Sequence, residues 1–151
     1  MKKKSSQLPL RKGVGIVLLN NKNKIFVAKR IDNPKNFWQM PQGGVDNKEK
    51  YLKAALRELK EETSITSVEL IKEIDEWYTY ELPEYLLGKI WKGKFRGQKQ
   101  KWFIMKFLGN ENEIKLNTKN PEFLEWKWVS ADSLTENVVD FKMDVYKIIE
   151  T

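Results

Sequence analysis

Residues 43–65 read GGVDNKEKYLKAALRELKEETSI, and no other part of the chain is as strongly patterned. The apolar residues of this stretch recur at positions i, i+3, i+4 and i+7, as Leu52, Ala55, Leu56 and Leu59. This spacing gives one apolar stripe on a helix. Asp46 and Glu49 have the spacing of a capping box. We therefore predict an amphipathic helix that begins after Asp46 and ends near Thr63.

Three glutamates share one face of this predicted helix. Glu58, Glu61 and Glu62 are spaced i, i+3 and i+4, and each close pair repels by about 0.3 kcal/mol. They also lie in the last turn, where the helix dipole is already negative. A divalent cation would turn this repulsion into coordination. The alternative is a solvated acidic face that is partly neutralised by Arg57 and Lys60.

The composition excludes several classes of active site. The 151 residues include 28 Lys and Arg against 21 Asp and Glu, a net charge of +7, and contain neither His nor Cys. Ser-His-Asp triads, cysteine nucleophiles, disulfides and Cys/His zinc sites are therefore impossible. Catalysis would have to use carboxylates, amines, hydroxyls, backbone amides or a hard cation with oxygen ligands, such as Mg²⁺ or Mn²⁺.

Strand patterns surround the predicted helix. Residues 13–19 form a continuous apolar run, which is typical of a buried central strand, and residues 24–30 follow as a second strand. Further strands are predicted at residues 67–75, 77–82, 102–108 and 123–129. A second helix is predicted at residues 138–149. This order favours an α/β domain with a mixed sheet over residues 11–151, preceded by a flexible basic arm at 1–10.

The stretch at 43–65 resembles the Nudix box, G-x5-E-x7-R-E-U-x-E-E-x-G-U, where U is a bulky aliphatic residue. The matching positions are Gly43, Glu49, Arg57, Glu58, Leu59, Glu61, Glu62 and Ile65. One position differs, because Ser64 stands where the family has glycine. That glycine supplies a left-handed helix end, so serine should cost about 1 kcal/mol.

Strings outside the box also carry a resemblance. WQMPQGG at 38–44, GQKQKWF at 97–103, and parts of 121–129 and 141–146 resemble the bacterial RNA pyrophosphohydrolase branch of the family. That branch is close to the plant-type asymmetric diadenosine tetraphosphate hydrolases. The resemblance implies an α/β/α sandwich with a central mixed β-sheet and hydrolysis of phosphoric anhydride bonds.

The resemblance also implies a metal site. Mg²⁺, for which Mn²⁺ can substitute, would be bound by Glu58, Glu61 and Glu62 with the carbonyl of Gly43. Arg57 would orient a glutamate, and Glu49 would be structural. Glu122 matches a further metal ligand and candidate general base; the alternative is an exposed loop acid after Pro121.

Substrate-binding residues are implied in the same way. Arg11 matches a position that contacts phosphate, and Arg30 one near the 5′ nucleotides; the alternative for each is a surface charge at a strand end. The base-binding corner would comprise Tyr80, Val139, Phe141 and Lys142. On spacing alone Phe141 is as compatible with a core position.

A basic segment could bind RNA beyond its 5′ end. Residues 88–101 read GKIWKGKFRGQKQK, with six cations, no acid, and Trp91 and Phe95 between the cations. Charge combined with aromatic rings is typical of surfaces that bind single strands. The alternative is a solvated basic loop.

Three functions follow from these features. The leading hypothesis is Mg²⁺-dependent removal of pyrophosphate from the 5′-triphosphate end of RNA, which leaves 5′-monophosphate RNA and promotes mRNA decay. The first alternative is a hydrolase of nucleoside and dinucleoside polyphosphates, such as diadenosine tetraphosphate. The second is a non-catalytic RNA-binding module. We expect a cytoplasmic monomer with neither membrane nor DNA as a partner, since no apolar stretch approaches the ~20 residues of a membrane span.

Overall fold

The computed structural model describes residues 8–31 and 38–133. The elements are β1 (Leu10–Leu19), β2 (Ile25–Arg30), β3 (Trp38–Gln39), β4 (Gln42–Gly44), α1 (Tyr51–Thr63), β5 (Val68–Glu73), β6 (Tyr78–Glu81), β7 (Gly97–Phe107) and β8 (Phe123–Val129). These confirm the predicted helix and strands, and β3 and β4 are additional. The helix predicted at 138–149 lies outside the described residues. No helix within the described ranges is long and apolar enough to span a bilayer.

The sheet is mixed, as predicted. Its strand order is β3-β2-β1-β7-β5, with β8 on β2, β4 on β1 and β6 on β7. Strands β1 and β7 run parallel over ten residue pairs, from Leu10 opposite Gly97 to Leu19 opposite Lys106. The other pairings are antiparallel. The parallel pair brings Arg11 opposite Gln98, which places the starts of two distant segments side by side.

Strand β1 is buried on both faces, which explains its continuous apolar run. On one face, Ile16 and Leu18 pack in a cluster that includes Ala55 and Leu59 of α1. On the other face, Val17 and Leu19 pack in a cluster that includes Trp102, Ile104 and Met40. The helix stripe was predicted with one error, because Leu56 is 40% exposed at the edge of this packing.

The start of α1 was predicted wrongly, whereas its end was predicted correctly. The capping-box prediction was wrong: the N-cap is Lys50, without a side-chain cap, and Asp46 lies before it. Glu49 Oε1 instead accepts the backbone N–H of Asp46 at 3.0 Å, which closes a turn ahead of the helix. At the other end, Ser64 is left-handed with φ of 67°, as expected. Its hydroxyl donates to the carbonyl of Lys115 at 3.0 Å, which offsets part of the strain.

Strand β7 begins at Gly97, five residues before the predicted start. Lys99 is exposed while Gln98 and Gln100 are buried, so both alternating sets are polar and no hydrophobic period marks the strand. A Cβ at Gly97 would collide with the β6 backbone at Tyr80, so glycine permits this close pairing. The last five residues of the predicted basic loop are therefore strand.

Candidate active site

A cavity of about 1080 Å³ lies on the sheet face that carries Val27, Met40 and Trp102. Its wall includes seven of the residues predicted for the site: Arg11, Arg30, Gly43, Glu58, Glu62, Tyr80 and Glu122. These residues come from β1, β2, β4, α1, β6 and the segment before β8, so only the fold brings them together. Arg57 and Glu61 are outside this wall. Val139, Phe141 and Lys142 lie outside the described residues.

Arg57 donates hydrogen bonds to four residues and forms a longer ion pair with Asp46, 3.6 Å from its Nε to Oδ2. Its Nε donates to Glu49 Oε2 at 2.8 Å, and its Nη1 donates to Glu58 Oε1 at 2.9 Å and to Glu61 Oε2 at 3.1 Å. Its Nη2 donates to the carbonyl of Gly44 at 2.9 Å. Hydrogen bonding to Arg57 lowers the pKa of Glu49 to about 2. Arg57 thus holds α1, its preceding turn and β4 in one arrangement.

Glu62 is buried without full compensation. The residue is 3% exposed, and its Oε2 has no hydrogen-bond partner. Burial, together with the nearby carboxylates of Glu122 and Glu58, raises the pKa of Glu62 to about 10. Arg30 acts in the opposite direction, and its Nη1 lies 3.9 Å from Glu122 Oε2. A buried carboxylate oxygen of this kind is suited to a cation.

Glu58 and Gly43 are packed against each other. A Cβ on residue 43 would overlap the carboxyl group of Glu58, so glycine leaves the space that this side chain fills. Burial also raises the pKa of Glu58, against the opposing hydrogen bond from Arg57. Gly43 and the Glu58 carboxyl group are therefore neighbours on the cavity wall, and carbonyl and carboxylate oxygens are the donors that a hard dication prefers.

The predicted carboxylates do not form a closed metal cage. Across residues 8–31 and 38–133, no three acidic side chains stand together with the spacing of a cation site. Glu58, Glu62 and Glu122 surround the cavity, while Glu61 is 58% exposed and turns to Arg57. Mutual repulsion and the attraction of Arg57 explain this division. The oxygen-only donor set still fits a hard dication, and coordination by Glu61 would require its side chain to leave Arg57.

Arg11 lines the cavity from β1, and two side chains hold its guanidinium in place. Its Nη1 donates to Gln98 Oε1 at 3.0 Å, and its guanidinium lies 5.2 Å from the centre of the Trp91 ring. A Cβ at Gly44 would crowd this guanidinium. Trp91 itself has a φ of 50°, which costs about 1 kcal/mol for a bulky residue. The strained backbone of Trp91 thus places its ring beside the Arg11 guanidinium. Arg11 is therefore already positioned for the phosphate contact expected of it.

Only part of the positive charge of the basic segment at 88–101 lies on the loop before β7. Arg96 donates to Glu81 Oε1 at 3.1 Å and bonds to the carbonyls of Leu8 and Pro9. Lys99 and Lys101 lie on β7 over the ring of Trp77. The cations that remain on the loop before β7 are Lys89, Lys92 and Lys94.

Sequence reasoning missed several polar residues of the cavity. The additional wall residues include Gln39, Gln42, Gln98, Gln100, Trp38 and Lys127. Lys127 lies over the Trp38 ring, 4.1 Å from its centre. The glutamines of WQMPQGG and GQKQKWF could have indicated these residues, because a buried strand normally carries apolar residues at such positions.

Comparisons with known proteins agree with the family resemblance of the sequence. Residues 9–150 match the family model described as NUDIX domain. The RNA pyrophosphohydrolase of Pelagibacter ubique is 68% identical over 143 residues, which cover 95% of this chain and 90% of that protein. The RNA pyrophosphohydrolase of Orientia tsutsugamushi, strain Boryong, is 46% identical over 147 residues, which cover 97% and 91%.

Solved structures share the fold at lower identity. The E. coli dihydroneopterin triphosphate pyrophosphohydrolase aligns with a TM-score of 0.67 and 22% identity, covering 94% of this chain and 98% of that one. A C. elegans Ap4A hydrolase binary complex aligns with a TM-score of 0.65 and 24% identity, covering 92% and 95%. At these identities the likeness supports the fold alone.

Proposed function

Because the chain belongs to the Nudix family, we propose that it is an RNA pyrophosphohydrolase. It removes pyrophosphate from the 5′-triphosphate end of RNA, leaves 5′-monophosphate RNA and so promotes mRNA decay. The observation that carries this proposal is the 68% identity, over 95% of the chain, to a protein of that name. We further propose a single domain that follows a basic N-terminal arm and acts as a cytoplasmic monomer without membrane or DNA partners; its first strand begins at Leu10, one residue before the predicted boundary of the domain.

The proposed cofactor is Mg²⁺, for which Mn²⁺ can substitute; the family is typically dependent on divalent metals. Its ligands would be Glu58, Glu61, Glu62 and Glu122, with the carbonyl of Gly43. When bound, the metal neutralises phosphate charge and lowers the pKa of a coordinated water. The unpartnered Oε2 of Glu62 and the Glu58 carboxyl packed on Gly43 support this assignment.

The chain's own residues bind and orient the substrate. Arg11, already held by Gln98, binds phosphate oxygens. Glu122 lines the cavity at 43% side-chain exposure and accepts a proton from the attacking water. Arg30 and Tyr80 lie on the same wall for the 5′ nucleotides. Val139, Phe141 and Lys142 complete the proposed base-binding corner.

Substrate preference tests the proposal directly. Purified protein with Mg²⁺ should cleave 5′-triphosphate RNA with a kcat/KM at least about tenfold above that for diadenosine tetraphosphate, a difference of about 1.4 kcal/mol. Product analysis should show pyrophosphate and a 5′-monophosphate end. A higher kcat/KM for the dinucleotide would favour the polyphosphate hydrolase, and RNA binding without turnover would favour a non-catalytic module.

We also propose that the loop before β7 binds RNA beyond the 5′ end through Lys89, Lys92 and Lys94. Replacing all three by Gln should flatten the salt dependence of RNA binding, lowering the slope of log K against log salt by about 2. Binding measured between low and moderate salt reports this slope. The matched control replaces three exposed lysines elsewhere, Lys60, Lys115 and Lys119, and should leave the slope unchanged. Equal slopes in the two triple variants would contradict the proposal.

A further inference from the structure

Four side chains on the cavity wall form a hydrogen-bonded relay. Trp102 Nε1 donates to Gln100 Oε1 at 3.2 Å, and Gln100 Nε2 donates to Gln42 Oε1 at 2.8 Å. Gln42 Nε2 then donates to Gln39 Oε1 at 3.4 Å. Trp102 and Gln100 are 2% and 1% exposed, whereas Gln42 and Gln39 are half-buried. The relay therefore runs from the core to the accessible part of the wall.

The direction of this relay is determined by its first member. An indole N–H can only donate, so Gln100 must turn its oxygen to Trp102 and its amide nitrogen to Gln42. Gln42 must in turn direct its oxygen to Gln100 and its amide nitrogen to Gln39. The alternative amide orientations would bring two donors or two acceptors face to face at one of the contacts.

Glycine secures the origin of the relay. A Cβ on residue 15 would overlap the Trp102 indole. Glycine at this position therefore leaves room for the ring in the position where it contacts Gln100. Gly15 lies opposite both Trp102 on β7 and Gln42 on β4. The backbone register thus fixes the two strands that the relay joins.

Gln39 ends the relay as a hydrogen-bond donor. Its Oε1 is occupied by Gln42, and its Nε2 has no partner among the described residues. We propose that Gln39 is a substrate-binding residue that donates its Nε2 hydrogens to an oxygen acceptor of the substrate, a phosphate oxygen or a base carbonyl. This inference rests on the proposed function and adds a residue to its substrate site. Trp102, Gln100 and Gln42 act through Gln39 as positioning residues.

Two substitutions at Gln39 test the inference. Gln39→Met keeps the length of the side chain without a donor, and Gln39→Glu places an acceptor where the donor is. Each should raise KM for 5′-triphosphate RNA about tenfold, with a smaller effect on kcat, since a hydrogen bond to the substrate is lost. If wild-type protein cleaves this RNA and both variants keep its KM, the inference fails while the proposed function stands. If wild type does not cleave it, the proposed function fails.

The positioning role is tested at the other end of the relay. Trp102→Phe keeps an aromatic ring but removes the donor, so KM should rise about threefold. The Gln39→Met/Trp102→Phe double variant should be no worse than Gln39→Met alone, because the two act through one interaction. Trp128→Phe is the matched control: that indole donates to Glu111, away from the cavity wall, and KM should stay within about twofold of wild type. Additive effects of Gln39→Met and Trp102→Phe would overturn the relay.

The first nucleotide distinguishes the two sources of the oxygen. Guanine carries a carbonyl at its O6 position where adenine carries an amino donor. A contact to phosphate predicts that Gln39→Met raises KM equally for RNA that begins with pppG and with pppA. A contact to the base carbonyl predicts a loss confined to pppG. Unchanged KM for both RNAs would count against Gln39 as a ligand.

Discussion

Glu62→Gln should lower kcat/KM for 5′-triphosphate RNA by at least about 100-fold while raising the melting temperature of the metal-free protein. The activity is lost because an amide is a far weaker ligand for a hard dication than a carboxylate. The stability rises because the buried Oε2 has no partner, and a neutral side chain carries a smaller desolvation cost. Thermal unfolding in EDTA and steady-state kinetics in Mg²⁺ measure the two effects.

The stability effect should depend on pH. The pKa of Glu62 is raised to about 10 in the folded protein, against an ordinary value of 4.5. Below 4.5 both the folded and unfolded states hold the proton, so the shift has no effect on the free energy of unfolding. Between 4.5 and 10 the unfolded chain releases a proton that the folded one keeps, so wild-type stability falls as pH rises. Glutamine does not titrate, so its advantage should grow by at most about 1.4 kcal/mol for each pH unit above 4.5, to an upper limit of about 5 kcal/mol near pH 8.

Glu61→Gln is the matched comparison, since the two glutamates are adjacent on α1. The Glu61 side chain is 58% exposed, so its replacement should change the free energy of unfolding by no more than about 0.5 kcal/mol. Its activity should fall as steeply as that of the Glu62 variant. Wild-type rates in Glu61→Gln would exclude Glu61 as a ligand. A lower melting temperature for Glu62→Gln in EDTA would contradict the prediction that the burial of Glu62 destabilises the metal-free protein.

The parts of the fold that could be predicted are those with a strong local period. The apolar run of β1 and the stripe of α1 each depend on burial against the sheet, which neighbouring residues in the chain already encode. Ser64 was predicted to be left-handed because the resemblance fixed its position at the helix end. The start of β7 could not be found in this way, because buried Gln98 and Gln100 have no apolar signature.

Seven of the residues predicted for the site line the cavity, but their arrangement could not be predicted from the sequence. The helix spacing placed Glu58, Glu61 and Glu62 on one face, yet only tertiary structure shows that Arg57 draws Glu61 away from the cavity. The relay that ends at Gln39 was also hidden. Gln42 and Gln100 are 58 residues apart in the sequence, and they meet because β4 and β7 both pair with β1.

Arg57→Leu should lower the free energy of unfolding by about 3 kcal/mol, because it leaves a half-buried carboxylate without its cation. The Glu58 side chain is 14% exposed and would lose its 2.9 Å bond from Arg57 Nη1. The contacts to Glu49 and to the carbonyl of Gly44 would be lost together with it. Urea unfolding of the metal-free protein at neutral pH measures the change.

Arg96→Leu is the matched control for this substitution. Arg96 pairs with Glu81, whose side chain is 69% exposed, so the ion pair itself is worth no more than about 1 kcal/mol. Arg57→Lys should recover only part of the loss, since a single ammonium cannot reproduce a fork that serves Glu49, Glu58 and Glu61 at once. Equal losses for Arg57→Leu and Arg96→Leu would mean that the carboxylates around Arg57 are stabilised by solvent rather than by the guanidinium. The orienting role of Arg57 would then have to be abandoned.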